Sequence, residues 1–153
     1  HAPDALALLA APTRDQTDVL GAFRYSRNET WLHTDISVLP RAAGARAAWN
    51  LLRVPGEDRV LVSYDMTRLM HLAGPDTHVV TLNATDRVDP STVIAKMVYE
   101  HPAYTPGSVA AQSRLPELDD DRLAFAGAYH GWGFHEDGCA SGVRAAASLG
   151  VTW

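Results

Sequence analysis

Residues 47–66, AAWNLLRVPGEDRVLVSYDM, decide the fold class of this chain. Two runs, 47–54 and 60–66, are rich in the branched and aromatic residues that favour β structure. Turn-forming residues, Pro55-Gly56-Glu57-Asp58, lie between them. A connection of about four residues is too short for a helical crossover, which parallel strands would need. The stretch therefore predicts an antiparallel hairpin.

Three further runs of the same kind, 30–35, 77–83 and 95–100, extend the pattern to five strands. Helices are predicted at 5–10, after a capping box over 13–16, at 106–113 and at 139–149. The sequence therefore predicts an α+β fold with a central antiparallel sheet and flanking helices. We expect it to end in a strand-loop-helix unit, with a strand at 123–126.

Composition and charge exclude several classes of function. The 153 residues are 46% hydrophobic and 20% charged, which is typical of one globular domain. The net charge of −5 argues against a partner that needs a basic face, such as nucleic acid or an anionic membrane. No apolar run reaches the roughly 18 residues of a membrane span. Cys139 is the single cysteine, so no internal disulfide is possible and a cytoplasmic location is predicted.

The glycine-rich segment 127–138 is the strongest candidate for a binding site. Helix 139–149 follows it, and the N–H groups of Gly138, Cys139 and Ala140 are expected to face an electron-rich ligand. Small residues in this helix would allow close approach to a sheet or a cofactor. The alternative is that the unit is purely structural, because most strand-turn-helix units bind nothing. Gly131 and Gly133 do not begin a dinucleotide-binding motif, because Glu136 stands where its third glycine belongs.

Residues 126–138, AGAYHGWGFHEDG, followed by Ser141-Gly142, closely resemble the carboxy-terminal FAD-binding segment of FAD-dependent oxidoreductases. The group comprises predicted NAD/FAD-binding proteins of the flavin amine oxidase superfamily. Four upstream stretches resemble the same family in the same order: FRYSRN at 23–28, LHTD at 32–35, AWN at 48–50 and YEHP at 99–102. The resemblance spans essentially the whole chain.

The resemblance implies a carboxy-terminal fragment of such an enzyme, with FAD as the cofactor. It implies three parts: 1–22 continuing from a missing amino-terminal flavin-binding domain, 23–118 forming a substrate-binding sheet, and 119–153 forming the FAD-binding segment. In the intact enzyme, a hydride would pass from a small-molecule substrate to the flavin. The isolated chain is expected to be inactive. It is also expected to self-associate through the surfaces that would face the missing domain, the last helix and 123–126.

The resemblance also implies site residues. The substrate-side residues are His33 and Trp49, and no catalytic base is identified. The cofactor-binding residues are Gly127, Ala128, Phe134, His135, Glu136, Asp137, Gly138 and Cys139.

Several of these residues have a second interpretation. A zinc site from His130, His135, Glu136 and Asp137 is disfavoured, because the two histidines lack the spacing of a helical zinc motif, and no metal is predicted. His33 and Asp35 share one face of a strand and invite a His-Asp dyad, but no nucleophile is identified nearby.

Cys139 is either a reactive thiol at a helix start or a small packed residue. Trp31, Trp49, Tyr64 and Met66 line a pocket or belong to the core. The acidic triplet Asp119-Asp120-Asp121 is interpreted as a solvated turn. The alternative function for the whole chain is a free-standing ligand- or protein-binding domain without redox activity.

Overall fold

The computed structural model describes residues 1–53, 56 and 60–151, except for the side chains of Val60 and Thr85. These residues form an α+β fold with one five-stranded antiparallel sheet and five α helices, which confirms the predicted fold class. The chain divides into two compact units. The first comprises His1–Ser26 and His101–Trp153, and the second comprises Arg27–Glu100.

The five strands are β1 (Arg24–His33), β2 (Trp49–Arg53), β3 (Val60–Asp65), β4 (Val79–Leu82) and β5 (Val93–Ala103). Each predicted run overlaps one of them, and β2 and β3 form the predicted antiparallel pair. Val54, Pro55, Glu57 and Asp58 of the predicted hairpin lie outside the described residues. β1 begins at Arg24, six residues before the predicted Thr30. Its first half is largely exposed and carries no apolar run, so the sequence pattern did not reveal it.

The sheet order is β2-β3-β4-β1-β5. Thr81 of β4 lies between Ser63 of β3 and Trp31 of β1 in the register. Residues directly opposite each other on paired strands point to the same face of a sheet, and so do residues two apart along one strand. Ser63 is opposite Thr81, and His33 is two residues after Trp31, so Ser63, Thr81 and His33 lie on one face. This placement brings three polar side chains together inside the second unit.

Met66 does not belong to the strand predicted over 60–66. β3 ends at Asp65, and Met66 begins a short helix, α3 (Met66–Leu69). The Asp65 carboxylate accepts the N–H of Arg68 at 2.9 Å, as a helix N-cap does. The capping bond therefore ends the strand one residue early.

The first unit contains α1 (Ala2–Ala7), α2 (Arg14–Leu20), α4 (Pro106–Gln112) and α5 (His135–Ser148). The predicted capping box is confirmed: Thr13 Oγ1 accepts the N–H of Gln16 at 3.1 Å, and Gln16 Oε1 accepts that of Thr13 at 2.9 Å. α1 has Pro3 in its first turn, but it begins and ends three residues before the predicted 5–10. Thr105 and Ser108 cap α4 in the same reciprocal way.

The core of the first unit draws on both of its chain segments. Leu20 of α2 and Leu115 are fully buried, and Phe23 and Tyr129 contact each other with ring centroids 5.3 Å apart. Residues 101–118, which the sequence assigned to the sheet part, thus contribute Leu115 to the core of the first unit. The chain passes from one compact unit to the other after Ser26 and again after Glu100. The three parts implied by the resemblance, 1–22, 23–118 and 119–153, stay a prediction.

The predicted strand 123–126 does not form, and the segment lies outside any helix or strand. Its backbone groups bond to carboxylates instead: Phe125 N–H donates to Asp119 Oδ1 and Leu123 N–H to Asp120 Oδ1, at 2.8 and 2.7 Å. Asp119 and Asp120 of the acidic triplet therefore accept backbone hydrogen bonds from the following segment and are not merely solvated. Phe125 is buried, so this segment is not the exposed apolar patch that was expected.

The interior of the second unit is polar as well as apolar. Its buried apolar residues include Leu61 and Val79, which are 2% and 0% exposed. Buried polar residues accompany them in the same unit: Thr30, His33, Asn50, Ser63, Asp65 and Thr81. Because buried polar groups are costly unless hydrogen-bonded, the contacts of these side chains determine what the unit can do.

Candidate functional site

The glycine-rich segment is tied to the following helix by one buried serine. Ser141 of α5 is fully buried, and its Oγ accepts the N–H of Gly127 at 2.9 Å. The same hydroxyl lies 2.8 Å from the carbonyl oxygen of Gly138. Ser141 therefore fixes the start of the segment against the first turns of α5.

Helix α5 begins four residues before the predicted start, at His135. Asp137 explains the difference: its Oδ2 accepts the N–H groups of Trp132 at 3.0 Å and Phe134 at 2.9 Å. Gly138 N–H bonds to Phe134 O at 3.2 Å, so the helical ladder starts there. The N–H groups without a partner inside the helix are therefore those of His135, Glu136 and Asp137. Those of Gly138, Cys139 and Ala140 are not, which corrects the expectation.

The sequence contains a feature that predicts a helix start near His135. Glu136 and Asp137 are consecutive acidic residues, and carboxylates are favoured in the first turn of a helix. Their negative charge also lowers the positive potential of the helix end. Because Asp137 is bonded to two backbone donors of the loop, its charge is partly compensated.

Three glycines of the segment are required by contacts within the unit. A Cβ on Gly127 would overlap the Tyr129 ring, with Cδ1 at 2.7 Å, and a Cβ on Gly131 would overlap the Asp137 side chain. A Cβ on Gly133 would lie 2.8 Å from the Tyr104 hydroxyl. The bare backbone faces at these positions are therefore covered by the chain's own side chains.

Gln112 of α4 holds the middle of the segment. Its Nε2 donates to the carbonyl oxygens of Gly131 at 2.6 Å and Tyr129 at 3.1 Å. The Tyr104 hydroxyl donates to Gly131 O at 3.3 Å, and its ring lies 5.5 Å from that of Trp132. These contacts make the segment an ordered part of the first unit.

Two buried polar atoms of the segment have no hydrogen-bond partner among the described residues, Tyr129 Oη and His130 Nε2. Burial raises the pKa of Tyr129 to about 12, so its hydroxyl keeps its proton. Burial also lowers the pKa of His130, and the nearby positive charge of Arg144 lowers it further. Burying a polar atom without a hydrogen bond lowers the stability of the fold. Contacts among the described residues therefore give no reason for the burial of these two atoms.

Other predicted site residues lie at the surface. Phe134 is 65% exposed and Trp132 is 62% exposed. His135 and Glu136 are exposed in the first turn of α5, Ala128 is half-buried, and Cys139 is exposed in the second turn. Within the ranges that the structure describes, no three His, Cys, Asp or Glu side chains are placed to hold a metal ion.

His33 lies in the second unit, fully buried, at the centre of a chain of hydrogen bonds. Its Nε2 is 2.8 Å from Thr81 Oγ1, which is 2.9 Å from Ser63 Oγ. Its Nδ1 accepts the N–H of Asp35 at 3.1 Å. We call the His33–Thr81–Ser63 chain the buried relay. The sequence missed it because its members lie on three separate strands.

The His33–Asp35 dyad considered as an alternative does not form, because Asp35 contacts the imidazole through its backbone N–H. The Asp35 carboxylate accepts the N–H groups of Ser37 at 2.8 Å and Asp89 at 2.9 Å. Burial acts to raise the pKa of Asp35, but these hydrogen bonds outweigh it and lower the pKa. Asp35 is thus an ionised loop cap and does not orient the imidazole through its side chain.

Trp49, the second predicted substrate-side residue, is 64% exposed on β2. Its ring contacts that of Tyr64 edge to face, with centroids 6.2 Å apart. The pair lines a shallow cavity of about 220 Å³ together with Leu51 and Val62. Trp31 has a different role, since Lys96 Nζ lies 4.0 Å from its ring centroid.

A pH dependence follows from the two buried histidines. Burial lowers the pKa of both His33 and His130, so the unfolded chain binds more protons below its own histidine pKa of about 6.5. We expect stability to be full above that pH and to fall as the pH decreases through it. Urea unfolding of the protein and of His33→Gln, followed by circular dichroism across this range, measures the effect. A slope unchanged in His33→Gln would contradict the role of His33.

No family model and no curated protein matches this chain. Across the described residues, no helix combines the length and the apolar character needed to cross a membrane. The candidates from Gly127 to Cys139 lie in the first unit, and His33 and Trp49 lie in the second.

Proposed function

We propose that the chain supplies the carboxy-terminal flavin-edge and substrate-binding parts of an FAD-dependent oxidoreductase. The observation that carries the proposal is the segment 127–138, which leads into α5 and in which Tyr129 Oη and His130 Nε2 are buried with no partner among the described residues. The resemblance of this same segment to an FAD-binding segment supports it.

The donors and apolar groups present fit one edge of an isoalloxazine ring. The N–H groups of His135 and Glu136 supply hydrogen-bond donors at the start of α5. The carboxylates of Glu136 and Asp137 reduce the stabilisation that the helix start gives to nearby negative charge, so these N–H groups act mainly as directional donors. Phe134 and Trp132 supply exposed apolar surface that can cover a ring and exclude water from it. The loop and helix are held in position by backbone hydrogen bonds of Gly127, Ala128 and Gly138 and by the side chain of Asp137. Cys139 follows in the next turn of α5.

FAD, when bound, supplies the chemistry by accepting a hydride from a C–H or amine substrate. The residues of this chain bind and orient. Asp137 fixes the loop, and Ser141 fixes the loop against α5. On the predicted substrate side, the second unit exposes Trp49, whereas His33 is fully buried and bonded to Thr81. His33 is not a proton acceptor in this role, because its Nδ1 is occupied by the Asp35 N–H.

The proposal is tested by expressing the chain joined to the polypeptide encoded immediately upstream. We expect that polypeptide to contain a strand followed by G-x-G-x-x-G, and the joined protein to purify yellow, with an absorption band at about 450 nm. Phe134→Ala should retain several-fold less flavin, whereas Leu8→Ala, which is 85% exposed and lies outside the segment, should retain the same amount. An upstream sequence without that motif, or a joined protein that purifies without flavin, overturns the proposal.

The second candidate function is a ligand-binding domain without redox activity. A specific observation favours it: the buried relay ends at Ser63, which lines a cavity in the second unit. A colourless joined protein that binds a ligand in this cavity would support the second candidate over the first.

A further inference from the structure

Strand β2 lies at one edge of the sheet, beside β3. Its sequence, 49–53, is WNLLR. Leu51, at the centre of the strand, is 70% exposed, and Trp49 is 64% exposed. Among the described residues, no backbone hydrogen bond joins 49–53 to any segment other than β3. An unpaired strand edge of this kind is a template on which another strand can pair.

The register with β3 shows which backbone groups of β2 point outward. Asp65 N–H donates to Ala48 O at 2.9 Å, and these two residues are opposite each other when the register is extended by one residue. Hydrogen-bonded and non-hydrogen-bonded pairs alternate along an antiparallel ladder. Every second residue after Ala48 therefore bonds to β3, and the residues between direct their N–H and C=O groups to the free edge. These outward-facing residues are Trp49, Leu51 and Arg53.

The outward-facing residues are self-complementary about a two-fold axis. When β2 of a second copy runs antiparallel with Leu51 opposite the partner's Leu51, Trp49 lies opposite the partner's Arg53. Each of the three pairs can exchange two hydrogen bonds in this register. A shift in either direction leaves at least one outward-facing residue of each strand without a matching residue. The backbone of β2 therefore favours one register with its own copy.

The side chains match in the same register. Trp49, Leu51 and Arg53 are two residues apart along the strand, so their side chains share one face of the sheet. The Arg53 side chain is exposed, and a guanidinium is attracted to the face of a tryptophan ring. The two copies of Leu51 meet at the axis and remove each other's exposed apolar surface from water. Each end of the paired strands then has one Trp–Arg contact.

The other edge strand of the sheet carries features that prevent such pairing. β5 contains Lys96, Glu100 and Pro102. Charged residues and proline are among the means by which natural proteins keep strand edges from associating. Within 49–53 there is no proline and no acidic residue, and the register with β3 runs from Trp49 to Arg53 without a bulge. The sequence thus protects the edge at β5 and leaves the edge at β2 open.

We propose that two copies of this chain pair through β2 in this register, forming a continuous antiparallel sheet across a two-fold axis. The occupant is a second copy because the strand matches itself in both its backbone groups and its side chains. A five-residue strand pair is a small interface, so we expect a weak dimer with a dissociation constant on the order of 100 µM. The proposal does not rest on flavin binding. It also uses a different surface from α5 and 123–126, where the resemblance predicted self-association.

Sedimentation equilibrium of the full chain, at concentrations up to about 1 mM, measures the dimer. We expect a monomer–dimer equilibrium in the unaltered chain. Leu51→Lys places like charges opposite each other at the axis and should weaken the dimer by about tenfold or more. Leu8→Lys is the matched control, because it adds the same charge at a residue of the first unit that is 85% exposed. It should leave the dissociation constant unchanged.

A pair of proline variants tests the register. Leu51→Pro removes an N–H group that points to the free edge, which an edge strand tolerates, so the chain should fold and the dimer should be lost. Leu52→Pro removes an N–H group that bonds to β3, so it should destabilise the second unit. Urea unfolding followed by circular dichroism compares the stability of the two variants, and sedimentation measures their association.

Several outcomes would overturn the proposal. A chain that stays monomeric at about 1 mM overturns it, including the case in which the β2 edge binds an unrelated extended peptide instead. So does a Leu51→Lys or a folded Leu51→Pro chain that associates as tightly as the unaltered protein, because the dimer then uses another surface. Equal weakening by Leu8→Lys would show a general effect of charge. If Leu51→Pro does not fold, Leu51→Lys still decides, since it replaces an exposed side chain. Flavin colour in the joined protein is measured separately, so the two proposals can fail independently.

Discussion

Gly127→Ala is expected to lower the free energy of unfolding by about 3 kcal/mol, from backbone strain and overpacking together. Gly127 has a φ of +154°, which side chains rarely allow, and a Cβ there would overlap the ring of Tyr129. Tyr129 is buried and packs against Phe23, so moving its ring aside would disturb this contact. Urea unfolding followed by circular dichroism measures the loss.

Gly142→Ala is the matched control for this substitution. Gly142 lies inside α5, and a Cβ there would meet nothing within 4 Å. Alanine is favoured over glycine in a helix by up to about 1 kcal/mol, so this variant should be slightly more stable than the unaltered protein. If both variants lost the same stability, the specific conformation of Gly127 would not be the cause.

His33→Ala is expected to cost about 3 kcal/mol or more, because it leaves a cavity and breaks the buried relay at its start. The Asp35 N–H loses its acceptor, and the Thr81 hydroxyl loses the donor that sets its direction. Thermal and urea unfolding measure the stability.

Two further variants distinguish the effect of losing the hydrogen bonds of the buried relay from the effect of losing the volume of the His33 side chain. Thr81→Val keeps the shape but leaves the His33 Nε2–H without an acceptor, and should cost about 1–3 kcal/mol. His71→Asn changes an exposed imidazole at a φ of +52°, which asparagine tolerates, and should change stability by less than about 0.5 kcal/mol. A neutral Thr81→Val would show that the relay does not stabilise the second unit.

The sheet could be predicted from the sequence because each strand carries a local signal. The β2 and β3 runs are branched and aromatic, and the short connection between them allows only an antiparallel pair. The run 123–126 carries a similar apolar signal and forms no strand. A strand needs a partner for its backbone groups, and here Asp119 and Asp120 supply the acceptors instead.

The candidate site was harder to predict because the same residue types serve two purposes. Glycines suit close approach of a ligand, but Gly131 and Gly133 are closely approached by Asp137 and Tyr104 of the same unit. The helix start was misplaced because Asp137 acts through the backbone of Trp132 and Phe134, which no apolar pattern reveals. The buried relay joins His33 to residues more than one strand away in sequence, so no local motif could show it.

The position of Cys139 makes the chain convenient for spectroscopy. It is the single cysteine in the sequence, and it is exposed in the second turn of α5. A thiol-reactive fluorophore would therefore attach at one known place, without any prior mutagenesis. Its emission would report on the environment of the helix start, where the loop held by Asp137 and Ser141 meets solvent.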